Sequence, residues 1–194
     1  MQNRIIILAA FVMFAFSACR SQKQQVQGQE IDSETAYVSY YTDALMYQQI
    51  GSFDKAEENY RNAIHFNQKA ADSYFGLYEI YSAKSMYDDA QVALFKAIEY
   101  MPHNAWYLLS KVRLFDKLAN TEQLVKAAQE LVTKFPDNDS YQIILARVYM
   151  RTNKLQESKK VLEAIVPKIA DNEEVYSMRL ELAKTMNDKA LEER

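Results

Sequence analysis

The sequence predicts an all-α fold, a solenoid of stacked helical hairpins, on three observations. Tyr47, Tyr81, Phe115 and Tyr149 each follow the last by 34 residues, and a fixed period in that range marks repeated supersecondary units rather than one globular core. Other positions hold the same register: Ala56 with Ala90, Ala63 with Ala97, Tyr40 with Tyr74, Pro102 with Pro136, and Asn104 with Asn138 and Asn172. Three glycines and three prolines in 194 residues are too few turn formers for a β-sandwich, while an apolar share of 49% is enough to fill a core.

The chain opens on a processing signal, over residues 1–18. Arg4 is the sole charge before residue 19, an apolar run of 12 residues spans Ile5 to Phe16, and Ser17-Ala18-Cys19 follows. Such a run is too short for a comfortable membrane span and has the make-up of a secretory leader. Its ending resembles a bacterial lipobox, with Phe16 where leucine is usual. The resemblance implies that Cys19 becomes the lipidated first residue of the mature protein. Simple signal cleavage and an uncleaved anchor are the other readings. Cys19 is the only cysteine, and acylation leaves no free thiol in an exported protein. Several acyl chains on one residue anchor durably. Residues 20–31 are polar and glutamine-rich, a tether reaching about 20 Å as a flexible coil. By analogy with lipoprotein sorting in Gram-negative bacteria, Arg20 rather than Asp directs the protein to the outer membrane. Ser21-Gln22-Lys23 lacks the acidic residues of surface export, which favours the periplasmic face over the cell surface or the inner membrane.

Residues 32–186 hold the repeats, at 37–70, 71–104, 105–138 and 139–172, followed by a capping helix at 173–186 and a polar tail at 187–194. Small residues in register let helices approach, and the four rings wedge between the helices of one unit and the next. A lone hairpin cannot bury that surface, so the units must stack. Gly51 ends the first helix where a left-handed backbone is needed. Asn104, Asn138 and Asn172 are N-caps. Asp54, Asp88 and Glu122 complement the macrodipole in the first turn of each second helix, and Pro102 and Pro136 stop the helices before them. In the capping helix Tyr176, Leu180 and Ala183 fall at interface phases.

This register resembles the tetratricopeptide repeat (TPR). Counting from Tyr37, Ala71, Ala105 and Asp139, the fourth position is large in Tyr40, Tyr74 and Leu108. The eighth is small in Ala44 and Ala146, though not in Tyr78 and Val112. The twentieth is small in Ala56, Ala90 and Ser158, with Leu124 departing, and the twenty-seventh is Ala63, Ala97, Leu131 and Ile165. Proline fills the thirty-second at Pro102 and Pro136, with Gln68 and Ala170 elsewhere. The resemblance implies a right-handed superhelix of antiparallel hairpins whose first helices line the concave face. On that face it places Tyr41, Phe75, Leu109 and Ile143 at the fifth position, Trp106 at the second, Leu45 at the ninth, and Arg113, Arg147 and Arg151 further along. These nine residues form the expected partner groove, an apolar channel with a basic side suited to an amphipathic helix or extended segment bearing acidic residues. Trp106 is the expected anchor. The fifth-position stripe is also readable as ordinary core between repeats, or else as a self-association surface. The family's carboxylate clamp for chaperone C-termini is missing, since Val38, Tyr41, Thr42, Leu45, Phe75 and Gly76 stand in its place.

Charge and chemistry narrow the function. The net charge is −3 and no basic stripe alternates with aromatics, which argues against nucleic acid. Lys159-Lys160 with Lys154 and Lys168 is a solvated face. His65 and His103 lack companions at metal-ligand spacing, no cofactor motif is present, and the carboxylates lie on exposed helix faces, so no catalytic residue is expected. The expectation is a membrane-anchored protein–protein interaction scaffold of the bacterial cell envelope, its partner an envelope protein. In build it resembles the pilotins of pilus assembly and the repeat-bearing lipoprotein of outer-membrane protein insertion. The alternative is a homo-oligomeric structural component without a peptide groove.

Overall fold

The computed structural model describes residues 32–168 and 172–187; the leader, Cys19, the tether and all but the first residue of the tail lie outside them. Nine helices follow in order among the described residues: α1 Ser33–Gln49, α2 Phe53–Phe66, α3 Ala71–Ala83, α4 Tyr87–Tyr100, α5 Ala105–Lys117, α6 Thr121–Lys134, α7 Asp139–Arg151, α8 Leu155–Ile165 and α9 Glu173–Met186. They pair as hairpins α1/α2, α3/α4, α5/α6 and α7/α8, each second helix meets the next first helix, and α9 closes the row against α7 and α8.

Local chemistry sets the boundaries. Asn104 Oδ1 accepts from the Trp106 and Tyr107 amides, Asn138 from Tyr141 and Asn172 from Val175. Asp32 caps α1 in the same way through the Glu34 and Thr35 amides, which carries that helix back before Tyr37. Asn120 caps α6. Every first helix ends alike. Gly51, Ser85, Ala119, Asn153 and Asn187, 34 residues apart, all have φ between 51° and 74°. In the four hairpins the next amide returns to the carbonyl of the phased ring: Ser52 to Tyr47, Met86 to Tyr81, Asn120 to Phe115, Lys154 to Tyr149. This is the Schellman arrangement, with its second bond from the left-handed residue itself.

Small residues sit at the helix crossings: Ala44, Ala56, Ala63, Ala90, Ala97, Ala146 and Ser158 are fully buried. The Ser158 hydroxyl is satisfied by donating to the Ala146 carbonyl across its hairpin, at 2.9 Å. Two expectations need correcting. The phased rings lean back on the preceding unit rather than forward on the next: Tyr81 bonds Glu57 and Arg61 on α2, Phe115 meets Phe95 on α4, and Tyr149 accepts from Gln129 on α6. No described hairpin precedes Tyr47, which is only half-buried, with the Lys55 ammonium over its ring. In α9 the interface consists of Val175, Met178, Leu182 and Ala183, whereas Tyr176 is 60% exposed and Leu180 half-buried. Tyr176 stands at the fourth position, where Tyr40 stacks on Phe66 and Tyr74 meets Tyr100 at a tilt, each on its own second helix; no described helix follows α9 to receive it.

Candidate partner surface on the first helices

The inner wall is built from α1, α3, α5 and α7, and its nine expected groove residues do not share one fate. Phe75 and Ile143 are core, not groove. The Phe75 ring stacks on Tyr107 of the next first helix at 4.6 Å, and Ile143 packs with Leu162, Ile165 and Val175. At these two units the fifth position faces a neighbouring helix that fills the space a ligand would need. Tyr41 is half-buried between the rings of Tyr37 and Tyr60, and Leu109 is half-buried beside the aliphatic core of α6 and α7. Leu45 and Trp106 are exposed, the latter by 51%.

The remaining groove residues converge. Leu109, Arg113, Arg147 and Arg151 border one cavity of about 200 Å³ between α5 and α7, together with Asp116 and Ile144, over Leu124 of α6. The Arg113 guanidinium lies 5.1 Å from the centre of the Trp106 ring, a geometry in which the π face attracts the cation. Arg151 pairs with Asp116 at 2.5 Å and Arg147 with Glu174 of α9. The hydrogen bond that Arg151 donates to Asp116, then the charge of that carboxylate, holds the guanidinium above its ordinary pKa. Both arginines are about half exposed, so these pairs fix side chains more than they stabilise the fold.

Toward α1 the wall is phenolic and acidic. Tyr107 donates to Asp72, Gln48 Nε2 donates to Glu79 at 2.8 Å, and Tyr60 donates to Gln48 Oε1 at 2.6 Å. Burial raises the Tyr60 and Tyr107 phenols well above their usual range; the hydrogen bond to Asp72 adds to the shift at Tyr107, and the Glu79 charge contributes at Tyr60. Asp72, Glu79, Tyr107 and Asp116 escaped the reading of the sequence. The signal for Glu79 was present, because it occupies the ninth position that Leu45, Arg113 and Arg147 hold in the other units. Among the described residues no group of three His, Cys, Asp or Glu could hold a metal, and no helix is long and apolar enough to cross a membrane.

Such an arrangement defines a class: a helical-hairpin solenoid that leaves the wall of its first helices uncovered. The chain has the tetratricopeptide-repeat fold. Solved structures show it. PilF of Pseudomonas aeruginosa superposes with a TM-score of 0.61 at 18% identity, over 82% of this chain and 72% of that one. A tetratricopeptide repeat protein of Parabacteroides merdae gives 0.69 at 15% identity, over 82% of this chain and 63% of its own, under two thirds of its length. YrrB, described as a TPR protein with an unusual peptide-binding site, gives 0.58 at 17% identity, over 80% and 89%. No protein-family model and no curated protein sequence matches the chain.

Proposed function

We propose that this protein is a membrane-anchored scaffold of the bacterial cell envelope, held at the periplasmic face of the outer membrane through lipidated Cys19, and that it binds a segment of another envelope protein on the wall of its first helices. One observation carries the binding half: Leu109 and three arginines line a cavity that the fold leaves open, and exposed Trp106 lies against one of them, Arg113. Aromatic and arginine side chains dominate binding hot spots, and the similarity to YrrB lends weight to peptide capture. The lipobox-like ending and the lone cysteine support the anchor.

Crosslinking in intact cells tests the binding half. A photoreactive residue at Leu45, on the wall, should trap one discrete protein, and Trp106→Ala or Arg147→Glu should abolish the adduct. The same residue at Val92, exposed on a second helix, should trap none. Equal labelling from both sites, or none from Leu45, refutes the binding surface. For the anchor, an alkyne fatty acid should label the protein in growing cells, and Cys19→Ser should lose both the label and membrane sedimentation. An unlabelled, freely soluble wild-type chain refutes it.

A further inference from the structure

One register position changes charge along the wall. The ninth residue of successive units is Leu45, Glu79, Arg113 and Arg147, on α1, α3, α5 and α7. The second position contributes Asp72 on α3 and then Trp106 on α5. The wall therefore passes from acidic to basic over two helix steps.

The two ends differ in how their charge is held. Asp72 and Glu79 are bonded by a phenol and by an amide. Both partners are neutral, so neither carboxylate is cancelled. Burial raises the Tyr37 and Tyr41 phenols above their ordinary value, and the nearby Asp72 charge raises them further. At the other end, among the described residues, Arg147 pairs with Glu174 and Arg151 with Asp116 while Arg113 lies against Trp106, three cations to two carboxylates. Exposed Trp106 and half-buried Leu109 stand on α5, the first helix that follows α3 and precedes α7. Two steps between packed first helices span about 20 Å at roughly 10 Å each, the reach of about six extended residues.

We propose that the wall recognises a segment of dipolar charge: a lysine or arginine at the Asp72–Glu79 end, an apolar stretch of about six residues across Trp106 and Leu109, and a carboxylate at the Arg113–Arg147–Arg151 end. Rings beside carboxylates suit a cation, and guanidiniums suit a carboxylate. A cavity of about 200 Å³ at the basic end admits an inserted side chain, which favours a bound segment over a second copy laid wall to wall. The proposal rests on the reading of this wall as the partner surface and adds the chemistry and orientation of what it binds.

The test uses synthetic peptides with capped termini and one shared apolar centre. One has two lysines at one end and two glutamates at the other, a second has lysines at both ends, and a third has glutamates at both. Each is titrated into the detergent-extracted full chain while the fluorescence of Trp106, the only tryptophan, is followed. The dipolar peptide should bind about tenfold more tightly than either uniform one at about 50 mM salt, and the gap should close by about 0.5 M. The near-isosteric pair Asp72→Asn with Glu79→Gln should erase its advantage over the diacidic peptide. Asp72→Lys with Glu79→Lys should make the diacidic peptide the preferred one. A diacidic peptide that binds the wild type as tightly as the dipolar one overturns the proposal, as does failure of all three to bind. Salt-sensitive self-association that the dipolar peptide displaces would make the occupant a second copy and overturn it too. The Leu45 crosslink separates the two levels: a trapped partner without dipolar preference sinks the charge order alone, and loss of the crosslink sinks the partner surface with it.

Discussion

The front two hairpins, α1–α4, and the back two, α5–α8, fill the same inter-helix gap by different means. In front, alanines at the crossings leave room for rings. Tyr60, Phe75 and Tyr81 occupy that room, and the two phenols have partners: Tyr60 gives to Gln48, while Tyr81 gives to Glu57 and accepts from Arg61. Behind, Leu124, Leu131, Leu145, Val148, Leu162 and Ile165 do the filling, and Tyr149 with Gln129 is the counterpart bond. A ring with a buried hydroxyl must satisfy it and is thereby oriented, whereas an aliphatic side chain needs only volume. The front thus relies more on polar geometry and the back more on aliphatic packing, and the cavity with its arginines lies in the back.

Substitutions of similar modesty should therefore act differently in the two halves. Leu131→Ala empties a fully buried site in the back and should destabilise by about 3 kcal/mol through lost transfer energy and a residual cavity. Urea unfolding followed by far-UV circular dichroism measures it. Trp106 fluorescence, which reports on α5, should move at least as far as the helical signal if the back opens first, as the nearest-neighbour energetics of a repeat array allow. Gly76→Ala adds a single methyl in the front. Its Cβ would meet the Tyr60 ring at 2.2 to 2.6 Å, and the bond to Gln48 holds that ring in place. A loss of about 2 kcal/mol is expected from overpacking. A neutral Gly76→Ala would show that the front relaxes as readily as the back and would dissolve the contrast.

Acid should separate the halves next. Burial disfavours the charged form of Glu57, but hydrogen bonds from Lys84, Arg61 and Tyr81 and the Lys84 charge outweigh it, and its carboxyl lies below the ordinary value of 4.5. Lys84 is held between Glu57 at 2.9 Å and Asp54 at 2.7 Å. A carboxyl whose folded pKa is depressed contributes stability that is present above its unfolded pKa and is lost as pH falls through the folded one. The front network should thus weaken only as pH falls below about 4.5. Glu57→Gln should remove that pH dependence while lowering stability at neutral pH. An unchanged acid profile in Glu57→Gln would take the network out of the account.

Much of this architecture could be read from residues in register. The 34-residue period gave the hairpins, the asparagines gave three caps, and the prolines gave two helix ends, because each of these depends on local chemistry that recurs. What could not be read depends on which neighbour a side chain meets. Phe75 and Leu109 share one phase, yet Phe75 is stacked under Tyr107 while Leu109 borders an open cavity. Tyr47 and Tyr176 have the right phase for burial but stand at the two ends of the described row, where no described unit covers them. Asp72 and Glu79 looked like ordinary surface charge until the fold set them beside the phenols of α1 and α5.

The smallest effect tests the most regular feature, the left-handed residue closing each first helix. Only Gly51 among the five has no side chain. Ala119 takes φ 51° with a methyl that crowds its own carbonyl, at about 1 kcal/mol or more above a helical conformation. Glycine removes that strain but enlarges the entropy of the unfolded chain, a loss of about 0.4–1 kcal/mol. The difference should leave Ala119→Gly more stable by about 0.5 kcal/mol, a small rise in the urea midpoint with an unchanged slope. Gly51→Ala runs the other way: a Cβ there meets no atom within 4 Å, so any loss is conformational rather than steric. If strain sets both results, the two substitutions shift stability by similar amounts in opposite directions, although one lies in the front and one in the back. A large shift at one site alone would mean that packing around the turn governs it, and the turns would then have to be counted among the differences between the halves.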